Sequence, residues 1–159
     1  LQQIEDIQRN ISNINNPNTT PQTIQTHITS TQRQLNACSN IRGILESISS
    51  IENNPAIHGT NNQANNLNAQ LNTLRQNLAR QLTTQRVNLP QAVQNINTGT
   101  NNTQADIMTL MNEEVVLTQQ LENERQNLAN ANELLRLNGE LQRATRNLIQ
   151  QQIPVPQNI

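Results

Sequence analysis

The chain has 159 residues, a formal charge of −1 and an apolar fraction of 33% that contains no Phe, Tyr or Trp. Near-neutrality leaves no bulk field to draw in nucleic acid, anionic lipid or a basic partner, and any core must be built from Leu, Ile, Val, Ala and Met alone. Every one of the ten basic residues is arginine, and 29 Asn and 23 Gln keep the chain polar.

Loss of both lysine and aromatics lies far outside ordinary composition. Drift in an Asn-rich lineage is one source of such a bias. Avoidance of lysine-directed modification such as ubiquitination, in a protein delivered into a eukaryotic cell, is another. No run reaches the ~18 apolar residues that span a bilayer, and LQQIEDIQRN has neither a basic n-region nor an apolar core, so no membrane span or signal peptide is read. The localisation is open, and the single cysteine, Cys38, excludes an internal disulfide.

In chain order, Leu1, Ile4, Ile7, Ile11 and Ile14 recur every three to four residues and predict a helix over 1–15. NNPNTTPQ breaks it, and Thr20 followed by Pro21 restarts it as a hydroxyl cap with proline at the first helical position. The stripe Ile24, Ile28, Thr31, Leu35, Cys38, Ile41, Leu45, Ile48, Ile51 then predicts a long helix over 21–52. Its beginning, TIQTHIT, also fits strand alternation, and Gly43 costs the helix about 1 kcal/mol without stopping it.

GTNNQANNLNAQLNTLRQNL is an amide-rich tract, but Leu67, Leu71, Leu74 and Leu78 keep a helical register within it. Thr60 and Gln63 have capping-box spacing, which predicts a helix over 61–88 ended by Pro90. PQAVQNIN reads as a short helical turn over 90–96 before the breaker NTGTNN, and GTNN at Gly59 and at Gly99 makes a weak repeat.

The last pattern, over 104–152, starts after Thr103, whose spacing to Asp106 suits a capping box. It runs to IPVPQNI, on the order of 70 Å if unbroken. Its stripe is Ile107, Leu110, Leu117, Leu121, Leu128, Ala131, Leu135, whereas Leu134, Leu137, Leu141, Ala144 and Leu148 lie on a different face. Asn138 and Gly139 fall within that change, so the chain either turns back there or continues as one helix with different neighbours on its two halves. The continuous helix is favoured because the second face begins before the glycine.

Few constellations carry chemistry. Arg125, Arg136 and Arg143 share one helical azimuth, but Glu122, Glu133 and Glu140 stand three residues ahead of them, the spacing of intrahelical ion pairs. With no aromatic to stack on a base, a solvated face is read rather than a nucleic-acid track. His27 and Cys38 are about 16 Å apart along a helix, so no metal site is expected. Adjacent Glu113 and Glu114 diverge by about 100° and do not converge on a substrate. No phosphate-cradling glycine motif and no Ser-His-Asp set is present.

Glu114 and Glu124 fall on the core stripe and Asn138 continues that polar line; polar residues at such positions set register or partner number in helical assemblies. The sequence therefore predicts a single all-α domain over 1–159, an elongated antiparallel bundle with coiled-coil-like seams. Leu67, Leu71, Leu74 and Leu78 are expected in one seam and Leu121, Leu128 and Leu135 in another.

The expected function is non-enzymatic: a structural or scaffolding protein that self-assembles or binds partner helices, as subunits of virions, filaments or secreted assemblies do. No cofactor, small-molecule substrate, nucleic acid or membrane span is expected. The alternative is a host-delivered effector that acts by protein–protein binding.

Overall fold

A computed structural model describes residues 1–97 and 103–151. It is all-α, with four helices packed antiparallel: α1 (Gln2–Ser12), α2 (Pro21–Glu52), α3 (Asn62–Gln85) and α4 (Thr103–Gln150). Short 3-10 turns occupy Pro55–His58, Arg86–Asn88 and Gln91–Val93. The breaker NTGTNN beyond Asn97, the repeat at Gly99 and the tail IPVPQNI lie outside the described residues.

Several helix ends follow from local chemistry. The Thr23 amide donates to Thr20 Oγ1 at 3.2 Å and Pro21 opens α2, the hydroxyl cap and proline start that the sequence predicts. TIQTHIT is helical, not extended, and Gly43 lies within the helix. Before α3 the cap is Asn61, whose Oδ1 accepts from the Ala64 amide at 3.0 Å. Thr60 and Gln63 therefore do not form the expected box, because the amide one residue later already satisfies the first-turn donor. The α-helix of α3 ends at Gln85 and tightens into a 3-10 turn to Asn88. Asn18, the one non-glycine residue with positive φ among those described (59°), sits in the α1–α2 loop, where its amide donates to Asn16 Oδ1.

The contacts of the chain fall into two compact units. One comprises Thr29–Leu121. Its core joins Ala37, Cys38, Ile41, Leu45 and Ile48 of α2, Leu71, Leu78 and Leu82 of α3, and Ile107, Leu110 and Leu117 of α4. Leu89, Val93 and Ile96 of the 3-10 segment complete it. Within this unit Arg42 pairs with Glu114 and Thr31 with Gln120; lower numbers on α2 meet higher numbers on α4, which fixes the antiparallel sense.

The other unit comprises Leu1–Ile28 and the chain from Glu122 onward. Its cluster is smaller: Ile4 and Ile7 of α1 against Leu137, Ala144 and Leu148 of α4, with Ile11, Ile14 and Leu141 packed beside them. Gln8 Nε2 and Thr145 Oγ1 are buried there without a hydrogen-bond partner. Asn138 and Gly139 do not interrupt α4.

The seam leucines separate in burial. Leu71, Leu78 and Leu121 are buried, Leu67, Leu74 and Leu128 partly so, and Leu135 is 60% exposed. The expectation for Leu135 is corrected: from Ala131 onward the buried stripe moves to Leu137, Ala144 and Leu148, and Leu135 stays on the old azimuth.

Candidate functional site

The strongest polar constellation lies between α2 and α4, within the Thr29–Leu121 unit. Arg42 grips Glu114 with two donors, Nε to Oε2 and Nη2 to Oε1 at 3.2 Å, and Nη1 reaches Glu46 of its own helix at 2.8 Å. Its hydrogen bonds to Glu114, and then to Glu46, raise the affinity of the guanidinium for its proton well above the ordinary arginine range. The pair is largely shielded, with side-chain exposures of 27% and 16%, so it fixes which turn of α2 faces which turn of α4. Glu114 thus occupies a polar position in the core stripe, as the sequence suggests. Its partner is 72 residues away and no local spacing reveals it.

Cys38 lies one turn before Arg42 and is fully buried. Burial first, and the charges of Glu114 and Glu113 second, push its thiol up to about 11. A thiol held protonated and out of solvent is a small apolar filler rather than a nucleophile. Thr31, also buried, accepts from Gln120 Nε2 at 3.3 Å. Arg75 of α3 stands 3.8 Å from Glu52 at the end of α2.

A second device closes the 3-10 segment after α3. The Arg86 guanidinium donates to the backbone carbonyl of Gln94 and, at 3.0 Å, to that of Ile96. In return Gln94 Nε2 donates to the carbonyls of Arg86 at 2.9 Å and Leu89 at 2.5 Å. These bonds satisfy carbonyls that no helix ladder takes, and they hold Leu89, Val93 and Ile96 in the core.

The other sequence candidates do not converge. Glu124 is half-buried, and Asn138 is exposed beside a groove lined by Leu141, Gln142, Thr145 and Arg146. Asn138 therefore does not continue a buried polar line, for the same reason that Leu135 is exposed. On the solvated face of α4, Arg136 pairs with Glu133, as the spacing predicts, and also with Glu140, which therefore looks back four residues rather than forward to Arg143. His27 and His58 are both exposed. Among the described residues no group of three or more His, Cys, Asp or Glu is placed to hold a metal ion, and no helix is long and apolar enough to cross a membrane.

Two surface features remain. An open groove of ≈ 780 Å³ runs between α2 and α3, floored by Gly43, Ser47, Ala69 and Thr73, and a Cβ placed on Gly43 would meet nothing within 4 Å. On α4, Met108, Met111, Val115 and Val116 are 52%, 45%, 71% and 57% exposed. Sequence reading assigned these four residues no role, although their spacing of three, four and one was a detectable second stripe. No protein-family model matches the chain, and no curated protein or solved structure is detectably similar to it.

Proposed function

We propose that this chain is a non-enzymatic structural or scaffolding protein that assembles with copies of itself, or with partner helices, through coiled-coil-like seams, as subunits of virions, filaments or secreted assemblies do. The observation that carries this reading is the apolar surface on α4 at Met108, Met111, Val115 and Val116, which the chain's own core leaves uncovered. Clustered exposed apolar residues on one helix face are the ordinary mark of an interaction surface. The buried protonated Cys38 and the scattered, exposed histidines support a non-enzymatic role.

Sedimentation velocity over a wide concentration range, followed by interference optics because the chain lacks Trp and Tyr, tests it. Mass that grows with concentration supports assembly, and a strictly monomeric species overturns it. A second reading has its own observation, the complete absence of lysine: a delivered effector that avoids ubiquitination and binds a host protein. A monomer that captures one defined host protein through its helices would favour that alternative.

A further inference from the structure

Nothing in the packing calls for the dipeptide Asn138–Gly139. Of the four glycines only Gly139 follows an asparagine, and it lies inside α4 without a positive φ. Among the described residues, a Cβ placed on it would meet Arg143 Nη1 alone, at an ordinary 3.7 Å. No turn or close approach therefore requires glycine there, although it costs the helix about 1 kcal/mol relative to alanine.

The pair has a chemical property instead. Asparagine is thermolabile because the backbone nitrogen of the next residue can attack its side-chain carbonyl carbon, and glycine, with no Cβ to shield that nitrogen, permits the attack most readily. An N–C bond forms, ammonia leaves, and a five-membered succinimide results. Water then opens the ring at one carbonyl or the other and leaves aspartate or isoaspartate, with no oxidant or reductant consumed.

The fold withholds this reaction. In unbroken α4 the Gly139 N–H is directed at the Leu135 carbonyl four residues back, and a helical ψ near −42° keeps the nitrogen from closing on the side chain before it. Asn138 is exposed, so water reaches it and the helix itself is the protection. Locally that helix is thinly held. Leu137, Ala144 and Leu148 pack on Ile4 and Ile7 of an eleven-residue helix, and Gln8 Nε2 and Thr145 Oγ1 are enclosed without partners. Openings begin where apolar cover is thin, and once uncovered this part of α4 is a marginal helix weakened by its own glycine.

We infer that Asn138–Gly139 is a self-modification site gated by the packing of α1 on α4, protected while the two helices are closed and converted when they open. Isoaspartate adds a methylene to the main chain, which breaks the i→i−4 ladder and moves Leu141, Ala144 and Leu148 out of register with Leu137. The opened unit then does not close again. The inference stands independently of the assembly reading.

The test holds wild type, Ile4→Ala and Thr145→Val, each as the full chain, at mildly alkaline pH with and without urea. Mass spectrometry follows the tryptic peptide 137–143, which Arg136 and Arg143 delimit. In urea Asn138 should convert ahead of every other asparagine. Without urea the wild type should convert more slowly by on the order of tenfold or more, Ile4→Ala several-fold faster than wild type, and Thr145→Val more slowly still. Gly139→Ala, whose methyl group the helix accommodates, should keep the helix content and stay unconverted. Converted wild-type chains, separated by the charge they gain, should lose hydrogen-exchange protection over Gln2–Ser12.

A wild type that converts equally fast with and without urea would overturn the gate, as would three chains that convert at one rate without urea. Converted chains that keep full protection in α1 would overturn the claim that the modification holds the unit open.

Discussion

The two units are built from the same aliphatic residues and the same kind of helix, yet among the described residues one gathers fourteen buried residues into a single cluster and the other five. The difference lies in how many elements converge. In the Thr29–Leu121 unit, α2, α3, α4 and the 3-10 segment all contribute to one core, so that a residue such as Leu78 is covered from several directions and fully buried. In the other, the cluster is made by α1 against α4, and polar atoms of Gln8 and Thr145 are enclosed without partners. Without aromatics, burial must come from the number of converging helices rather than the size of side chains. The larger cluster should therefore set the global stability and the smaller one should open first.

The largest test of that contrast is a pair of truncations. Leu78→Ala should cost about 2–5 kcal/mol and lower the main melting transition. Ile4→Ala removes a side chain buried almost as completely, but its effect should be local: faster hydrogen exchange over Gln2–Ser12 with the main transition nearly in place. Equal shifts of the main transition by both variants would show that the units melt together and would break the comparison.

Alkaline pH should act on the larger unit alone. The Cys38 thiol is pushed up to about 11 from 9.0, so the unfolded chain loses that proton first. Its contribution is fully present below about pH 9 and declines by roughly 2–3 kcal/mol as pH rises to about 11. Cys38→Ala should flatten that part of the stability–pH curve. An unchanged slope would mean that the thiol is not the group responsible.

Arg42→Ala should come next, at about 1–3 kcal/mol, because it leaves the shielded carboxylate of Glu114 without its two-pronged partner. Adding Glu114→Gln should recover part of the loss in urea unfolding. The smallest effect is expected in the thinner unit. Thr145→Val keeps the shape and removes a buried hydroxyl that has no partner, and should slow exchange in α1 and stabilise that unit by up to about 1 kcal/mol.

Local sequence carried the helices well. Leucine and isoleucine at three- and four-residue spacing outweighed the Asn-rich background in α3, and Thr20 with Pro21 marked the start of α2. It carried the ends of α3 less well, since several neighbouring residues, Thr60 and Asn61 among them, are all competent caps and only the backbone path selects one. The change of buried face along α4 was visible at Leu134, but its consequence for Leu135 and Asn138 was not, because that depends on where α1 lies. The core-stripe position of Glu114 was legible, but its pairing with Arg42 was not: the partner is 72 residues away, and only the packing of α2 on α4 joins them.

The Arg86 clamp has a further consequence. The six residues from Ala92 to Asn97 are uncharged, contain no proline and combine Val and Ile with Asn and Gln, the composition of segments that stack into cross-β fibrils when their backbone is free. Here Val93 and Ile96 are sunk into the core, and the carbonyls of Gln94 and Ile96 are engaged by one guanidinium. Arg86, from outside the segment, thus occupies backbone acceptors that a cross-β ladder would need.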